Sequence, residues 1–440
     1  LDWFGKQILV VGLGRSGVAA ARLALRLGAR VTVCDHKPLA ETAFAGEVAA
    51  LGVEYLPQAE ARGAAFDLVI QSPGVPLETP VFTGARVMGE LEFAAPLLEG
   101  RKIGITGSNG KTTVTALVGH IFGEAGVLAQ VGGNIGVPPA AMVDDSRPGQ
   151  WNVLELSSFQ LETIETFVAD IAVVLNITPD HLDRHGTMER YIDAKARLVE
   201  TQGRGQVAVL NAGNAASAAL ARRTRAKVVY FNAPEPGPWA VAEKDGVITV
   251  DEQELLPVAA IPLRGRHNVE NVMAAAAAAW LASVSLDAIE AGIRSFPGVE
   301  HRIEPVRSLD GVTYYNDSKA TNVDATEKAL DAFAGGLWVI LGGKDKQSDY
   351  RTLAGRLREK AKGVLLIGAA AGVIRAQLAE VDPGLPLRDC GTMAEAVAAA
   401  RAGAVSGDTV LLAPACASFD QFQSYEHRGR VFKELVRQLE

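Results

Sequence analysis

Short apolar runs alternate along the chain with longer stretches of helical spacing, which is the pattern of strands joined by helices. Gln7–Gly12 is a β-branched run, Ser16–Leu27 has Ala-rich helical spacing and Arg30–Cys34 is a second buried-strand pattern, so the chain opens with a predicted βαβ unit. Asp67–Gln71 predicts a further strand, stopped by Ser72-Pro73-Gly74, and Glu90–Leu98 a helix. Lys102–Thr106 restarts the pattern as strand, glycine loop and helix (Val114–Phe122). Strand-like Trp151–Leu156 and Ile171–Asn176 follow, then helical Met188–Val199. Residues 206–263 carry shorter strand patterns and turns, including Pro234-Glu235-Pro236-Gly237-Pro238, and an Ala-rich helix begins near Asn268. After Phe296-Pro297-Gly298 the alternation resumes with strand patterns at Val312–Tyr315, Leu337–Leu341, Gly363–Ile367 and Thr409–Leu412. Such alternation predicts an α/β fold with parallel sheets covered on both faces. Three domains are expected: an N-terminal Rossmann-like domain over residues 1–93, a central P-loop mononucleotide-binding domain over 94–297, and a C-terminal Rossmann-like domain over 298–440.

Composition removes several alternatives. A chain of 440 residues is too long for one core. With 48% hydrophobic and 21% charged residues and a mean hydropathy of +0.13, it can bury enough apolar surface to offset the entropy of folding. The apolar stretches Val272–Ala282 and Ile171–Leu175 fall short of the roughly 18 residues a bilayer span requires. Residues 1–7 lead into a strand without the basic and apolar segments of a secretory leader, so none is expected. Cys34, Cys390 and Cys416 are too few and too scattered for a disulfide framework, which suits a reducing cytoplasm. The formal net charge of −8 argues against a nucleic-acid partner. Small anions remain possible ligands, because backbone amides and a few lysines bind phosphate locally.

Two glycine loops carry the candidate chemistry. Gly12-Leu13-Gly14-Arg15-Ser16-Gly17 fits G-x-G-x-x-G between a strand and a helix, with Asp35 after the next strand. Alone it suggests a nicotinamide dehydrogenase, although its physics serves any nucleotide diphosphate, or simply a closely packed turn. Thr106-Gly107-Ser108-Asn109-Gly110-Lys111-Thr112-Thr113 has the strand-loop-helix context of an ATP phosphate loop, with Ile105 where the strict pattern has glycine. Its amides would cradle phosphates, Lys111 would reach the β and γ oxygens and Thr112 would offer a hydroxyl to Mg²⁺. Val153-Leu154-Glu155 ends an apolar strand in an acid, as befits a carboxylate beside phosphate-bound metal. Pro179-Asp180-His181-Leu182-Asp183-Arg184-His185 adds two histidines and two carboxylates, but zinc would lack a third clear ligand. Lys195 by itself reads as a solvated surface lysine.

Together these pieces resemble the Mur ligase family, ATP-dependent enzymes that add amino acids to the peptidoglycan precursor. The likeness rests on the phosphate loop, Gly132-Gly133-Asn134-Ile135-Gly136, Glu155-Leu156-Ser157-Ser158-Phe159-Gln160-Leu161, Asp180-His181, Lys195 and His267-Asn268 through Asn271, in family order and spacing. Asn316-Asp317-Ser318-Lys319-Ala320-Thr321-Asn322 and Pro414-Ala415-Cys416-Ala417-Ser418-Phe419-Asp420-Gln421-Phe422 look most similar to members that use D-glutamate. The resemblance implies D-glutamate addition to UDP-N-acetylmuramoyl-L-alanine through an acyl phosphate, using ATP and two Mg²⁺ sites; a cytoplasmic monomer is expected. The first glycine loop then holds the UDP-sugar rather than a nicotinamide cofactor.

The same resemblance assigns roles residue by residue. Gly107, Ser108, Asn109, Gly110, Lys111, Thr112 and Thr113, with Asn268, Asn271, Arg302 and Asp317, would bind ATP, and Lys319 would lie near the γ-phosphate. Thr112 and Glu155 would hold one Mg²⁺, and His181 with a carbamylated Lys195 the other. Lys111, Glu155, His181, Lys195 and Lys319 form the implied catalytic set. Arg15, Ser16, Asp35, Ser72, Gly74 and Asn134 would bind the UDP-sugar. Thr321, Lys346, Ser418, the backbone at Phe419 and Tyr425 would bind D-glutamate, with Lys344 an alternative to Lys346 and Tyr425 standing where the family usually has Phe. A dehydrogenase leaves the second loop unexplained, a P-loop switch needs no amino-acid acceptor, and a folylpolyglutamate-type ligase does not need the first glycine loop.

Overall fold

Aliphatic runs buried on two faces must sit in a sheet with helices on both sides, and three such sheets organise this chain. The structure is a computed structural model describing residues 3–440; Leu1 and Asp2, which begin the expected first domain and the expected leader-free N-terminus, lie outside the described residues. The first sheet contains β1 (Gln7–Val11), β2 (Arg30–Asp35), β3 (Glu54–Pro57), β4 (Leu68–Gln71) and β5 (Val87–Gly89), all parallel, in the order β3-β2-β1-β4-β5. Its alternating side chains enter two cores: Ile8 and Val10 pack with Val18 and Ala21, whereas Leu9 and Val11 pack with Val81 and Phe82.

The second sheet holds β6 (Arg101–Thr106), β7 (Ala129–Gly133), β8 (Trp151–Glu155), β9 (Ile171–Val174), β10 (Val207–Asn211), β11 (Lys227–Ala233), β12 (Ala240–Lys244), β13 (Val247–Val250) and β14 (Gln253–Pro257). The order is β14-β13-β12-β11-β10-β9-β6-β8-β7, with antiparallel pairing confined to β12-β13-β14. The third sheet holds β15 (Glu304–Leu309), β16 (Val312–Asn316), β17 (Leu337–Gly342), β18 (Ala361–Ile367), β19 (Leu387–Gly391) and β20 (Thr409–Leu412), in the order β15-β16-β20-β17-β18-β19. Only β15 runs antiparallel. Within β17, Val339 and Leu341 face the helices Val323–Asp331, Ala354–Lys360 and Ala371–Val381. Ile340 faces Met393–Gly403 and Tyr425–Arg437. Each fully buried aliphatic side chain contributes about 1.5–3 kcal/mol.

Two compact units result. One contains the chain up to Ala260 together with Asn271–Ser295, and the other contains Ile261–Glu270 with Phe296–Glu440. Inside the first unit, two buried acids follow β5. Glu92 accepts hydrogen bonds from the backbone N–H groups of Glu165 (3.1 Å), Thr166 (2.7 Å) and Phe167 (3.0 Å) and from the Thr166 hydroxyl. Glu90 Oε1 accepts from Ala140 N at 2.6 Å, while Glu90 Oε2 is buried with no hydrogen-bond partner. Desolvation pushes the Glu90 carboxyl up to about 8. No described helix is long and apolar enough to cross a membrane.

Candidate active site

The first glycine loop crosses the carboxyl ends of β1 and β4, the place where the strand order of the first sheet reverses. Its three glycines are not equivalent. A Cβ on Gly17 would lie 1.8 Å from Gly12 O and 2.7 Å from Ser72 Oγ, whereas one on Gly14 would meet nothing within 4 Å. Ser72 Oγ donates to Gly12 O at 2.7 Å, and Asp35 Oδ2 accepts from Leu13 N at 2.8 Å. Asp35 Oδ1 takes Lys37 N at 3.0 Å and pairs with His36 Nδ1 at 2.9 Å. Two expected ligand residues therefore also shape the loop. All six expected UDP-sugar residues (Arg15, Ser16, Asp35, Ser72, Gly74 and Asn134) line one cleft of about 640 Å³, a volume suited to a small-molecule ligand. A second cavity of about 1170 Å³ adjoins it, sharing Asp35, His36, Gln58 and Thr79.

Phe159 also lines the cleft, and a polar cluster holds its ring. The Arg184 guanidinium carbon lies 5.0 Å from the ring centroid, His185 stacks on it at 5.6 Å and His181 meets it edge-on at 4.9 Å. Glu162 ties this cluster together by accepting from Arg184 Nη2 at 2.7 Å and lying 3.3 Å from His185 Nδ1. Arg184 Nη2 also lies 3.3 Å from Val75 O, in the loop that carries Ser72 and Gly74.

The second glycine loop joins β6 to the helix Lys111–Glu124. Gly107 (φ 158°) and Gly110 (φ 89°) supply its turns, and Asn176 clamps it by accepting from Asn109 N (2.9 Å) and donating to Asn109 O (3.0 Å). Ser108 Oγ donates to Thr178 O at 2.8 Å and lies 3.0 Å from the Tyr191 hydroxyl. Lys111 Nζ folds back onto Gly107 O (2.8 Å) and Ser108 O (2.9 Å). Asn271 packs so closely that a Cβ on Gly110 would meet Asn271 Oδ1 at 2.3 Å.

Glu155, at the end of β8, is buried beside this loop. Its Oε1 accepts from Asn134 Nδ2 at 2.9 Å, and its Oε2 has no hydrogen-bond partner. Asn134 thus belongs to the cleft and contacts Glu155 as well. Lys195 corrects its solvated reading, because it is only 1% exposed. Its Nζ donates to Gly107 O at 2.9 Å and to Thr106 Oγ1 at 3.4 Å, and lies 4.7 Å from the centre of the Tyr191 ring. Burial first, then the Lys111 charge, hold its amine well below the ordinary lysine range, against the opposing fields of Asp180 and Glu155. Thr112 is the second residue of the helix that follows the loop, and His181 pairs with Asp180 at 3.7 Å from a left-handed backbone position, φ 53°.

The remaining expected residues belong to the second unit. Asn268 Nδ2 donates to Arg264 O at 2.6 Å. Arg302 Nη1 lies 3.8 Å from Asp317, whose burial pushes its carboxyl up to about 6 despite the Arg302 charge. Lys319 lies 5.2 Å from the centre of the Tyr425 ring. Thr321, Lys346, Ser418 and Phe419 follow β16, β17 and β20, three neighbouring strands, so their loops meet at one sheet edge. Ser418 is buried, whereas the Phe419 side chain is 67% exposed. Buried Arg428 ties these loops together. Its Nε donates to Ser318 Oγ (3.0 Å), Nη1 to Ala417 O (3.3 Å) and Gly342 O (3.5 Å), and Nη2 to Ser318 O (2.8 Å) and Cys416 O (3.1 Å).

Glu300, His301 and Glu304 place possible metal-ligand atoms within 4.8 Å of one another. Lys433 already fills the cation position, donating to Glu300 Oε1 (2.6 Å) and Glu304 Oε1 (2.8 Å). Asn316 Nδ2 faces His301 Nδ1 at 2.8 Å, which makes Nδ1 the acceptor and leaves the proton on Nε2. This is a hydrogen-bonded ion-pair cluster without a free imidazole lone pair for a metal. Asn176, Tyr191, Glu162 and Arg428 carry no local sequence signal, because only their distant partners make them meaningful, whereas Asp180 stands beside His181 as one of two acids in that run.

Family models match the chain in three pieces: a Mur ligase MurD-like N-terminal domain over residues 6–90, a Mur ligase middle domain over 105–279, and a Mur ligase glutamate ligase domain over 301–416. The UDP-N-acetylmuramoylalanine--D-glutamate ligase of Solibacter usitatus is 55% identical, with 99% of this chain and 98% of that protein aligned. The protein of the same name from Koribacter versatilis is 48% identical over 100% of this chain and 99% of its own. In fold, the chain resembles the UDP-N-acetylmuramate-alanine ligase of Thermotoga maritima (TM-score 0.63, 19% identity, 98% and 99% coverage). It also resembles MurF of Acinetobacter baumannii (TM-score 0.64, 16% identity, 99% and 92% coverage). With two glycine loops on successive sheets, a third α/β sheet following them in the chain and relatives matched end to end, this chain belongs to the Mur ligase family.

Proposed function

We propose that this chain joins D-glutamate to UDP-N-acetylmuramoyl-L-alanine while converting ATP to ADP and phosphate, acting as a monomer in the cytoplasm. The observation that carries the reading is Asn134, which lines the glycine-loop cleft and donates to Glu155 beside the phosphate loop. A sugar-nucleotide carboxylate and an ATP γ-phosphate would have to meet across such a contact, whereas a dehydrogenase has no use for it. The names of the full-length relatives supply the substrate pair.

Two anions must be brought together, so positioning and charge neutralisation dominate the chemistry. The Gly107–Thr113 loop and Lys111 hold the β and γ phosphates, and Asn271, Asn268, Arg302 and Asp317 the rest of ATP. A carboxylate oxygen of the alanyl group attacks the γ-phosphorus, the bond to ADP breaks, and an acyl phosphate forms beside Lys319. D-glutamate, held by Lys346, Thr321, Ser418, the Phe419 backbone and Tyr425, then attacks the acyl carbon through its amine. Phosphate leaves and the amine proton passes to solvent.

Magnesium suits the donor set. The buried, unpartnered Glu155 Oε2 calls for a cation, and Glu155 with Thr112 would hold one. His181 and Lys195 would hold a second only if Lys195 were a carbamate, because an ammonium beside Lys111 repels a cation. That modification joins Nζ to the carbon of CO₂ with loss of a proton. When bound, magnesium neutralises phosphate charge.

Phosphate release should be measured with ATP, UDP-N-acetylmuramoyl-L-alanine and a panel of D- and L-amino acids. Release should depend on both acceptor substrates and favour D-glutamate. Equal turnover with L-glutamate or D-alanine would overturn the acceptor assignment, and ATP hydrolysis without any acceptor would favour a P-loop switch.

A further inference from the structure

Four residues beyond Lys346, Tyr350 is fully buried, yet its hydroxyl reaches two loops. It donates to Asp345 Oδ1 at 2.6 Å and lies 3.1 Å from Cys416 Sγ. A carboxylate only accepts, so the phenolic proton points to Asp345. Burial first, then Cys416 and Asp345, push the phenol far up, and burial pushes the Cys416 thiol up to about 11, so both groups keep their protons. The thiol proton therefore faces Tyr350 Oη, and the relay runs from Cys416 through Tyr350 to Asp345.

The ends of that relay flank expected acceptor residues. Asp345 separates Lys344 from Lys346 and also accepts from Ser348 N at 3.2 Å, closing the turn in which Gln347 takes φ 58°. Cys416 stands two residues before Ser418. The same loops are joined by backbone bonds from Lys344 N to Ala417 O (2.8 Å) and from Ala417 N to Lys344 O (3.1 Å). That bridge, the bond from Gly342 N to Pro414 O (2.8 Å) and Arg428 fix the loops beside β17 and β20, and the Tyr350 hydroxyl adds an attachment further out, at the Asp345 side chain between the two lysines. Tyr350 is itself anchored by donation from its backbone N to Gln377 Oε1 at 2.7 Å.

We propose that Tyr350 is a positioning residue of the acceptor site, its hydroxyl fixing the Lys346 turn against the Ser418 loop and thereby setting the affinity for an amino dicarboxylic acid. The proposal rests on the D-glutamate reading above. It explains why a buried phenol occupies a position where an apolar ring would fill the same space without needing partners.

Tyr350→Phe keeps the ring and removes only the hydroxyl. The KM for D-glutamate should rise about fivefold, the scale of one net hydrogen bond. The KM values for ATP and the sugar nucleotide, and kcat, should stay within about twofold. Asp345→Asn, which retains Oδ1 as an acceptor, should fall between Tyr350→Phe and wild type. Amide hydrogen exchange at residues 344–346 and 415–418 should quicken in Tyr350→Phe. An unchanged KM for D-glutamate, or an equal rise for all three substrates, would overturn the proposal. A wild-type enzyme that ignores D-glutamate would instead refute the acceptor reading, and the loop claim would be decided by exchange, where no change overturns it.

Discussion

Glu90 permits a sharp test because its environment stabilises one protonation state and the isosteric variant Glu90→Gln cannot ionise. Its carboxyl is fully buried, has one backbone donor at Ala140 and is pushed from its usual 4.5 up to about 8 by desolvation. The folded chain therefore holds this proton more tightly than the unfolded chain, so stability falls as pH rises. The contribution is full below about pH 4.5 and is lost progressively up to about pH 8. The displacement amounts to about 5 kcal/mol if the side chain keeps its place. Wild type and Glu90→Gln should be unfolded in urea at intervals between about pH 5 and pH 8. Taking the difference between them at each pH cancels every other titrating group. Glu90→Gln should start level or slightly less stable, since its amide N–H₂ finds no partner at the Oε2 position. It should then gain about 4 kcal/mol on wild type across the range. A difference that is flat to within about 1 kcal/mol, or that falls with pH, would refute the assignment of a buried neutral acid.

The glycine loop makes a second claim. Gly17→Ala must displace backbone at Gly12 and should raise the KM for the sugar nucleotide more than about tenfold, whereas Gly14→Ala should stay within about twofold. Comparable effects of the two substitutions would contradict the packing. Arg184→Met should raise the same KM about tenfold and leave that for ATP unchanged, because it removes a charge-assisted bond to Glu162 and the contacts to Phe159 and Val75. Initial rates with each substrate varied in turn would show whether the loss is confined to the cleft.

How much could be read from the sequence depended on how local each cause is. The two glycine loops were legible because a strand, a tight turn and a helix start are contiguous, and the structure finds them between β1 and Arg15–Arg26 and between β6 and Lys111–Glu124. Internal strands such as Leu337–Gly342 were legible as unbroken apolar runs. Several other strands carry no such run: β3 is half exposed and ends in Pro57, β7 ends in Gly132 and Gly133, and β15 contains Pro305. Their assignment to a sheet comes from their neighbours. Lys195 looked solvated because helical spacing does not reveal that a phosphate loop covers it. Glu90, Glu92 and Tyr350 have partners 50, 73 to 75 and 66 residues away, respectively, separations that no local pattern encodes.

Arg428 bears on how such a site can change over generations. Its N–H groups are divided among oxygens of three loops, at Ser318, Gly342, Cys416 and Ala417. A mutation that moved any one of those oxygens would strand a buried donor and cost about 1–3 kcal/mol even if the mutated loop were individually sound. The three loops are thus heritable as a set: gradual drift in one is selected against, and a lineage acquiring a different acceptor amino acid would need compensating changes in the other two.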